Sequence, residues 1–234
     1  MIRHIRVSDA LTSMKDAMFQ RWGLSDAKRG VPVVMLGIYT KEDARFFNTH
    51  KGHVTVLWAG SDANKKHTLR RKARHIAKSE CICRRLRARG IRSEVIPVTS
   101  VLPHVNIQPA GDKIFFYGKG KKYGEQYIDE VERRTGIEVI RTCLGMYDDM
   151  EAVYRQCFIG LRLTPRDGLP KTVIEMGLMG RRSVFNGGLP GSIPWRGVDD
   201  ICKSIMAEKG KVHEDVAKQM YNYIDISNEW LKCI

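Results

Sequence analysis

The sequence predicts an α/β protein of two small lobes, each built on a parallel sheet. Apolar runs at residues 33–39, 54–58, 113–117 and 158–163 alternate with stretches of helical character, the order that βαβ units produce. The runs are continuous and do not alternate with polar residues, which suits strands covered on both faces. The length, 234 residues, accommodates two lobes of roughly 110 residues with thin cores better than one large domain.

Residues 8–22 carry Leu11, Met14 and Met18 at helical spacing, with Ser8 or Asp9 available as a cap, and read as an amphipathic helix. Strands at 33–39 and 54–58 follow. After the loop 59–62, residues 63–74 are polar and basic and read as helical. A short strand at 75–78 precedes a helix over 80–89, with Ser79 before it as cap and Gly90 after it as stop. Residues 95–98 form a strand. Residues 99–111, with Pro103 and Pro109 and little periodicity, read as a linker.

The second half repeats the theme: strand 113–117, loop 118–122, helix 123–134 ended by Gly136, strand 137–140, helix 148–156, strand 158–163. The loop 164–170 opens a helix that ends at Gly180, before a strand at 183–185 and helices at 199–208 and 214–231. The expected division is residues 1–108, residues 109–212, and a C-terminal helix within 213–234.

No apolar run approaches the ~20 residues that cross a bilayer. The first residues lack the apolar core of a secretory signal, so a cytoplasmic protein is expected. The six cysteines are scattered without a CxxC pair, which argues against structural zinc and a disulfide framework, and for reduced thiols in the cores. Neither Asp148-Asp149 nor Asp199-Asp200 makes an Asp-x-Asp metal site, and no cofactor is expected. Net charge is +14, and between Lys65 and Arg92 twelve Lys/Arg stand against the single acid Glu80. Such an excess favours a polyanion or an anionic membrane as partner.

The segment 162–180, RLTPRDGLPKTVIEMGLMG, carries the functional argument. A buried strand ends, a Gly/Pro loop turns, and a helix begins near Pro170, which suits a first helical turn. The N–H groups of Lys171, Thr172 and Val173 then face out where the helix dipole favours an anion, and the Lys171 ammonium and Thr172 hydroxyl add donors. Ligands of open parallel sheets bind beyond the carboxyl ends of the strands, so a phosphate or diphosphate is expected here. Glu175, three residues after Thr172, can accept two hydroxyl hydrogen bonds, the geometry of a ribose diol. Asp167 precedes the helix and can bond sugar hydroxyls. Taken singly, Asp167 is also an ordinary loop residue and Glu175 an ordinary first-turn acid.

Asp167-Gly168-Leu169-Pro170-Lys171-Thr172-Val173-Ile174-Glu175, followed by Met176-Gly177-Leu178-Met179-Gly180-Arg181-Arg182-Ser183-Val184, resembles the signature of retaining GT-B glycosyltransferases of the group 1, family 4-like kind. That signature is an acid, seven residues, then a glutamate, in the form E-G-L-P-N-x-x-x-E-A-M-A-x-G-x-P-V. The likeness extends over residues 154–188. It implies a GT-B-like α/β fold, two small Rossmann-type lobes with parallel sheets facing a central cleft, and transfer from a nucleotide sugar such as UDP-glucose with retention. Glu175 would hold the ribose. Asp167, shorter than the usual glutamate, would approach the donor sugar as the catalytic acid group. Arg166, Gly168 and Leu169 would contact the donor, and the amides near Lys171 and Thr172 would hold the diphosphate. Lys119, Lys121 and Lys122 would steady it as it leaves, or else make a solvated turn. The loop with Leu144 and Gly145 would border the nucleobase. Enzymes of this kind usually need no bound metal.

The N-terminal lobe would face the acceptor. Asp62, after the second strand, could orient or deprotonate an acceptor hydroxyl, or simply cap a turn. Lys65, Lys66, Arg70, Arg71, Lys72 and Arg74 could hold nucleic acid, or form a solvated helix face. The leading expectation is a hydroxymethylated pyrimidine base in DNA, such as phages glucosylate. The alternatives are a lipid-linked or surface glycan at an anionic membrane, and a non-enzymatic nucleic-acid-binding protein on this scaffold.

Overall fold

The computed structural model describes all residues except 70–71, 100–105, 144–145, 147–148, 165–166, 225–228 and 233–234, and the side chains at 13, 14, 17 and 18. The chain divides into two compact units, Met1–Ser100 with Ile224–Ile234, and Val101–Tyr223. Each is a parallel sheet flanked by helices, the Rossmann-type arrangement the sequence predicts.

In the first unit the strands are β1 (His4–Val7), β2 (Ser25–Asp26), β3 (Val33–Leu36), β4 (Val54–Trp58), β5 (Arg74–Ala77) and β6 (Glu94–Val95). They lie in the order β2-β1-β3-β4-β5-β6, and every pairing is parallel. The helices are α1 (Lys15–Trp22), α2 (Lys41–Thr49) and α3 (Glu80–Arg87). Every residue of β3 and β4 is buried, which explains their continuous apolar sequence. Successive residues feed opposite faces. Val33, Met35, Val56 and Trp58 pack with Phe47, Ile82 and Leu86, while Val34, Leu36 and Leu57 pack with Ile2, Trp22 and Trp230. Full burial of each such side chain contributes about 1.5–3 kcal/mol.

In the second unit the strands are β7 (Lys113–Tyr117), β8 (Val139–Thr142), β9 (Cys157–Leu161), β10 (Arg182–Val184) and β11 (Ser192–Ile193). The order is β11-β10-β9-β7-β8, again wholly parallel. The helices are α4 (Ile128–Thr135), α5 (Met150–Arg155), α6 (Lys171–Leu178), α7 (Val198–Glu208) and α8 (Glu214–Tyr223). In both units the first strand lies between the second and the third. Between β7 and β9 the winding reverses, and that switch point opens a crevice at the carboxyl ends of the strands.

Several elements differ from the sequence expectation. Residues 8–22 are a 3-10 turn, Asp9–Met14, followed by α1, with Leu11 outside helical backbone at φ −128° and ψ 19°. The Ser8 hydroxyl makes no cap and donates instead to Asp43 Oδ2 at 2.7 Å. Helix α2 was not expected, nor were β1, β2 and β11, which are short or carry few apolar residues. Apart from the 3-10 turn Ser61–Asn64, the described residues of 63–73 form no helix. So short a stretch does not hold a helix by propensity alone, and no apolar stripe anchors one there. The last helix stops at Tyr223. The following segment joins the first unit, where the Ile2 N–H donates to Leu231 O at 2.8 Å and Trp22 meets Trp230 edge-on at 5.4 Å. The end of the expected linker is tied to the second unit. The buried Arg181 guanidinium donates to the carbonyls of Gln108, Pro109, Cys157 and Met179.

Among the described residues no helix is long and apolar enough to cross a membrane. Cys81, Cys83, Cys143, Cys157 and Cys202 are free thiols.

Candidate functional site

At the switch point of the second unit a cavity of about 320 Å³ is lined by Tyr117, Cys143, Met150, Tyr154, Arg162, Asp167, Pro170, Lys171, Thr172 and Glu175. The ends of β7, β8 and β9 supply the first, second and fifth of these. Helices α5 and α6 supply most of the rest. A smaller pocket lined by Asn106, Glu151, Leu178 and Met179 shares Met150, Tyr154 and Glu175 with it.

Helix α6 begins differently from the sequence reading. Pro170 is its N-cap residue, in extended backbone, with no side-chain cap. The Val173 and Ile174 N–H groups donate back to Pro170 O at 3.2 and 3.3 Å, so the Val173 amide is not free for an anion. The amides of Lys171 and Thr172 stand ahead of the intrahelical ladder, where the positive end of the dipole lies.

Glu175 sits one turn further in, its side chain 21% exposed. Its Oε2 accepts the Tyr154 hydroxyl at 2.7 Å, and its Oε1 lies 3.3 Å from Lys171 Nζ. Burial pushes the Glu175 carboxyl above the usual carboxylate range, while Lys171 and Tyr154 pull it down. The Tyr154 phenol is raised far above its ordinary value, first by burial and then by the adjacent Glu175 charge. A half-buried carboxylate with one edge toward a cavity is a ready acceptor for a pair of hydroxyls.

Asp167 is held by a residue the sequence reading did not single out. Arg162 grips its Oδ2 through Nε at 2.8 Å and through Nη2, and the Gly168 N–H donates to Oδ1 at 2.9 Å. The Arg162 guanidinium also lies over the rings of Tyr117 and Tyr123, at 4.9 and 5.0 Å from their centroids. Two glycines permit this. Gly118 (φ +151°) has Tyr123 Cβ 2.3 Å from where its own Cβ would stand, and Gly124 (φ +81°) has Leu163 Cβ at 2.4 Å. Neither position accepts a side chain without displacing Tyr123 or Leu163. In the sequence Arg162 stands five residues before Asp167, but nothing in that spacing marks the two as partners.

Lys119, Lys121 and Lys122 follow β7 and are exposed, and none of them lines the cavity. Lys122 Nζ lies 5.4 Å over the Tyr123 ring. Gly168 and Leu169 belong to the loop but not to the cavity wall. Leu144, Gly145 and Arg166 lie outside the described residues, as do Arg70, Arg71 and Asp148.

In the first unit Asp62 has no exposed surface. Its carboxylate accepts the N–H groups of Gly60 at 2.7 Å and Ala59 at 3.2 Å. This burial fits the alternative reading of Asp62, a turn cap that organises the loop after β4. Arg74 is likewise a structural residue. It pairs with Glu94 and donates to the carbonyls of Trp230 and Lys232 at 2.8 and 3.0 Å. Lys65, Lys66 and Lys72 are exposed. Asp149 caps α5, and Asp199 pairs with Arg134. Among the described residues no group of three or more His, Cys, Asp or Glu is placed to hold a metal ion.

No protein-family model matches the chain, and no curated protein matches its sequence. Its fold has counterparts among solved structures. It is similar to sucrose-phosphate synthase from Thermosynechococcus elongatus, with a TM-score of 0.62 and 10% identity over 91% of this chain and 73% of that one. It is similar to a mutant form of S. aureus TarM in complex with fondaparinux, alpha-GlcNAc-glycerol and UDP, with a TM-score of 0.54 and 10% identity over 81% of this chain and 50% of that one. AviGT4, a glycosyltransferase involved in avilamycin A biosynthesis, gives a TM-score of 0.51 and 12% identity over 97% of this chain and 94% of that one. At these identities the likeness is one of fold, a GT-B-like pairing of two Rossmann-type units.

Proposed function

We propose that this chain is a glycosyltransferase that moves a sugar from a nucleoside diphosphate to an acceptor hydroxyl, with retention and without a bound metal. One observation carries the reading. A carboxylate fixed from behind by Tyr154 stands on α6, one turn from the amides of Lys171 and Thr172, in a cavity at the switch point of the sheet. That arrangement offers a ribose acceptor and a diphosphate donor set side by side. The fold likeness to TarM, which was solved with UDP, supports UDP-sugars as the first donors to test.

In this reading Glu175 holds the ribose, and the head of α6 with Lys171 and Thr172 holds the diphosphate. Asp167, aimed by Arg162, meets the donor sugar. The bond from the sugar's anomeric carbon to the diphosphate breaks as the acceptor oxygen attacks from the same face, and the acceptor proton leaves on a phosphate oxygen. Stabilising the departing diphosphate is the largest contribution expected of the protein.

For the acceptor, the exposed Lys65, Lys66 and Lys72 and the +14 net charge support DNA carrying hydroxymethylated pyrimidines. A panel of nucleoside diphosphate sugars read by thermal shift tests the donor, since a ligand of the folded state raises its stability. UDP-glucose should raise Tm in the wild type and not in Glu175→Ala. Duplex DNA affinity that hardly changes between low and moderate salt, or co-sedimentation with anionic vesicles in its place, would count against the DNA acceptor.

A further inference from the structure

We propose that Lys171 and Glu175 form an exchangeable pair that makes the cavity select ligands carrying a diphosphate and a ribose together, an inference that rests on the donor-site reading above. The two are one helical turn apart, with Lys171 Nζ 3.3 Å from Glu175 Oε1. Their surroundings differ sharply. The Glu175 side chain is 21% exposed and its other oxygen is bonded to the Tyr154 hydroxyl, whereas the Lys171 side chain is 65% exposed. Tyr154 is itself buried against Phe115, edge-on at 4.9 Å. The ammonium can swing away without moving a packed atom, and the carboxylate cannot follow it.

This asymmetry has a consequence for recognition. Oε1 is the oxygen a ribose would take, and Lys171 pairs with it. A nucleoside supplies hydroxyls to the carboxylate but nothing to the displaced ammonium, so it competes with Lys171. A nucleoside diphosphate supplies phosphate oxygens at the head of the same helix, within the sweep of the same side chain. Lys171 then trades a loose contact with one carboxylate for charge-assisted bonds to phosphate. The pair is therefore an obstacle to one ligand and an anchor for the other, and discrimination follows from a single side chain.

Lys171→Met separates these roles by calorimetric titration of the full chain with uridine and with UDP. The exchange predicts opposite changes. Uridine should bind about two-fold tighter, the size expected for releasing one partly exposed i,i+4 pair. UDP should bind about ten-fold weaker, for the loss of one charge-assisted bond. In a Glu175→Gln background, where no ion pair forms, the uridine gain should vanish. Weaker or unchanged uridine binding in Lys171→Met, with weaker UDP binding, would make Lys171 a simple phosphate contact and overturn the exchange while leaving the donor site standing. If the diphosphates of uridine, adenosine, guanosine and cytidine all fail to bind the wild type, the donor-site reading falls and the exchange with it. A thermal melt of each variant confirms that it is folded, which the exposure of Lys171 favours.

Discussion

The hydroxyl of Tyr154 donates to Oε2 of Glu175 at 2.7 Å, from a residue that is 2% exposed. Helices α5 and α6 are thereby joined through the polar group that faces the cavity. Tyr154 sits near the end of α5, capped at its start by Asp149, whose side chain accepts the Ala152 N–H at 3.0 Å. Tyr154→Phe keeps the ring and its packing against Phe115 and removes only the donor. UDP affinity should fall about ten-fold, the size of one lost hydrogen bond to a charged group. Unfolding in urea should shift by no more than about 1 kcal/mol. A fall in stability with unchanged UDP binding would assign Tyr154 to the core alone.

Glu175 carries a second prediction through its titration. Burial raises its carboxyl above the 4.5 of a free glutamate, against the opposing pull of Lys171 and Tyr154. The folded state therefore holds this proton more tightly than the unfolded chain does. The associated stability is present below pH 4.5 and is lost as pH rises through the folded value. Glu175→Gln, which mimics the protonated form, should be the more stable protein at pH 7. The advantage should shrink as pH falls toward 4.5. Urea titrations at several pH values check this, and a glutamine variant equally destabilised at every pH would refute it. A residue that lowers stability in its working state is expected at a binding site.

How much of this was legible depends on what each residue's signal was. Val54–Trp58 and Lys113–Tyr117 stand out because double-sided burial leaves an unbroken apolar string. The spacing of Asp167 and Glu175 was legible because loop and helix are contiguous in sequence. Arg162 was not, because its meaning depends on Tyr117 and Tyr123 stacking on it, and those come from the end of β7 and the turn after it. Helix α2 escaped because its buried face is only Asp43, Ala44 and Phe47. Its capping box, Thr40 with Asp43, was nonetheless written in the chain. The basic stretch 63–74 misled because charge was read as a helix face, while Arg74 turns out to serve as a clamp on carbonyls that lie more than 150 positions away in sequence.

Arg162 and Asp167 supply a third prediction. The guanidinium fork fixes one carboxylate oxygen by two bonds while lying over two tyrosine rings. Lysine has the charge but neither the fork nor the plane. Arg162→Lys should bind UDP nearly as the wild type does, because Glu175 and the head of α6 are untouched. It should lose most of the extra affinity that the sugar of a UDP-sugar adds, and turnover should fall about 100-fold or more, for about 3 kcal/mol of lost positioning. Parallel titrations with UDP and UDP-glucose decide. Equal losses for both ligands would make Arg162 a support of the whole loop and not of Asp167.

Asp62 gives the fourth. With no exposed surface and two backbone N–H groups on its carboxylate, it is a loop anchor in the first unit. Burial raises its carboxyl, and the amides of Gly60, Ala59, Ile38 and Ala63 act the other way. Arg89, which donates to Ala63 O at 2.9 Å, feels its charge. Asp62→Ala leaves those amides without their acceptor inside the protein and should cost about 2–4 kcal/mol in urea unfolding. Asp62→Asn keeps one accepting oxygen and should recover part of that loss. UDP titration should be unchanged in Asp62→Asn, since every residue lining the cavity belongs to the other unit. If Asp62→Asn instead unfolds like the wild type and abolishes glycosyl transfer, the carboxylate reaches a substrate after all, and the loop around it must open to let it do so.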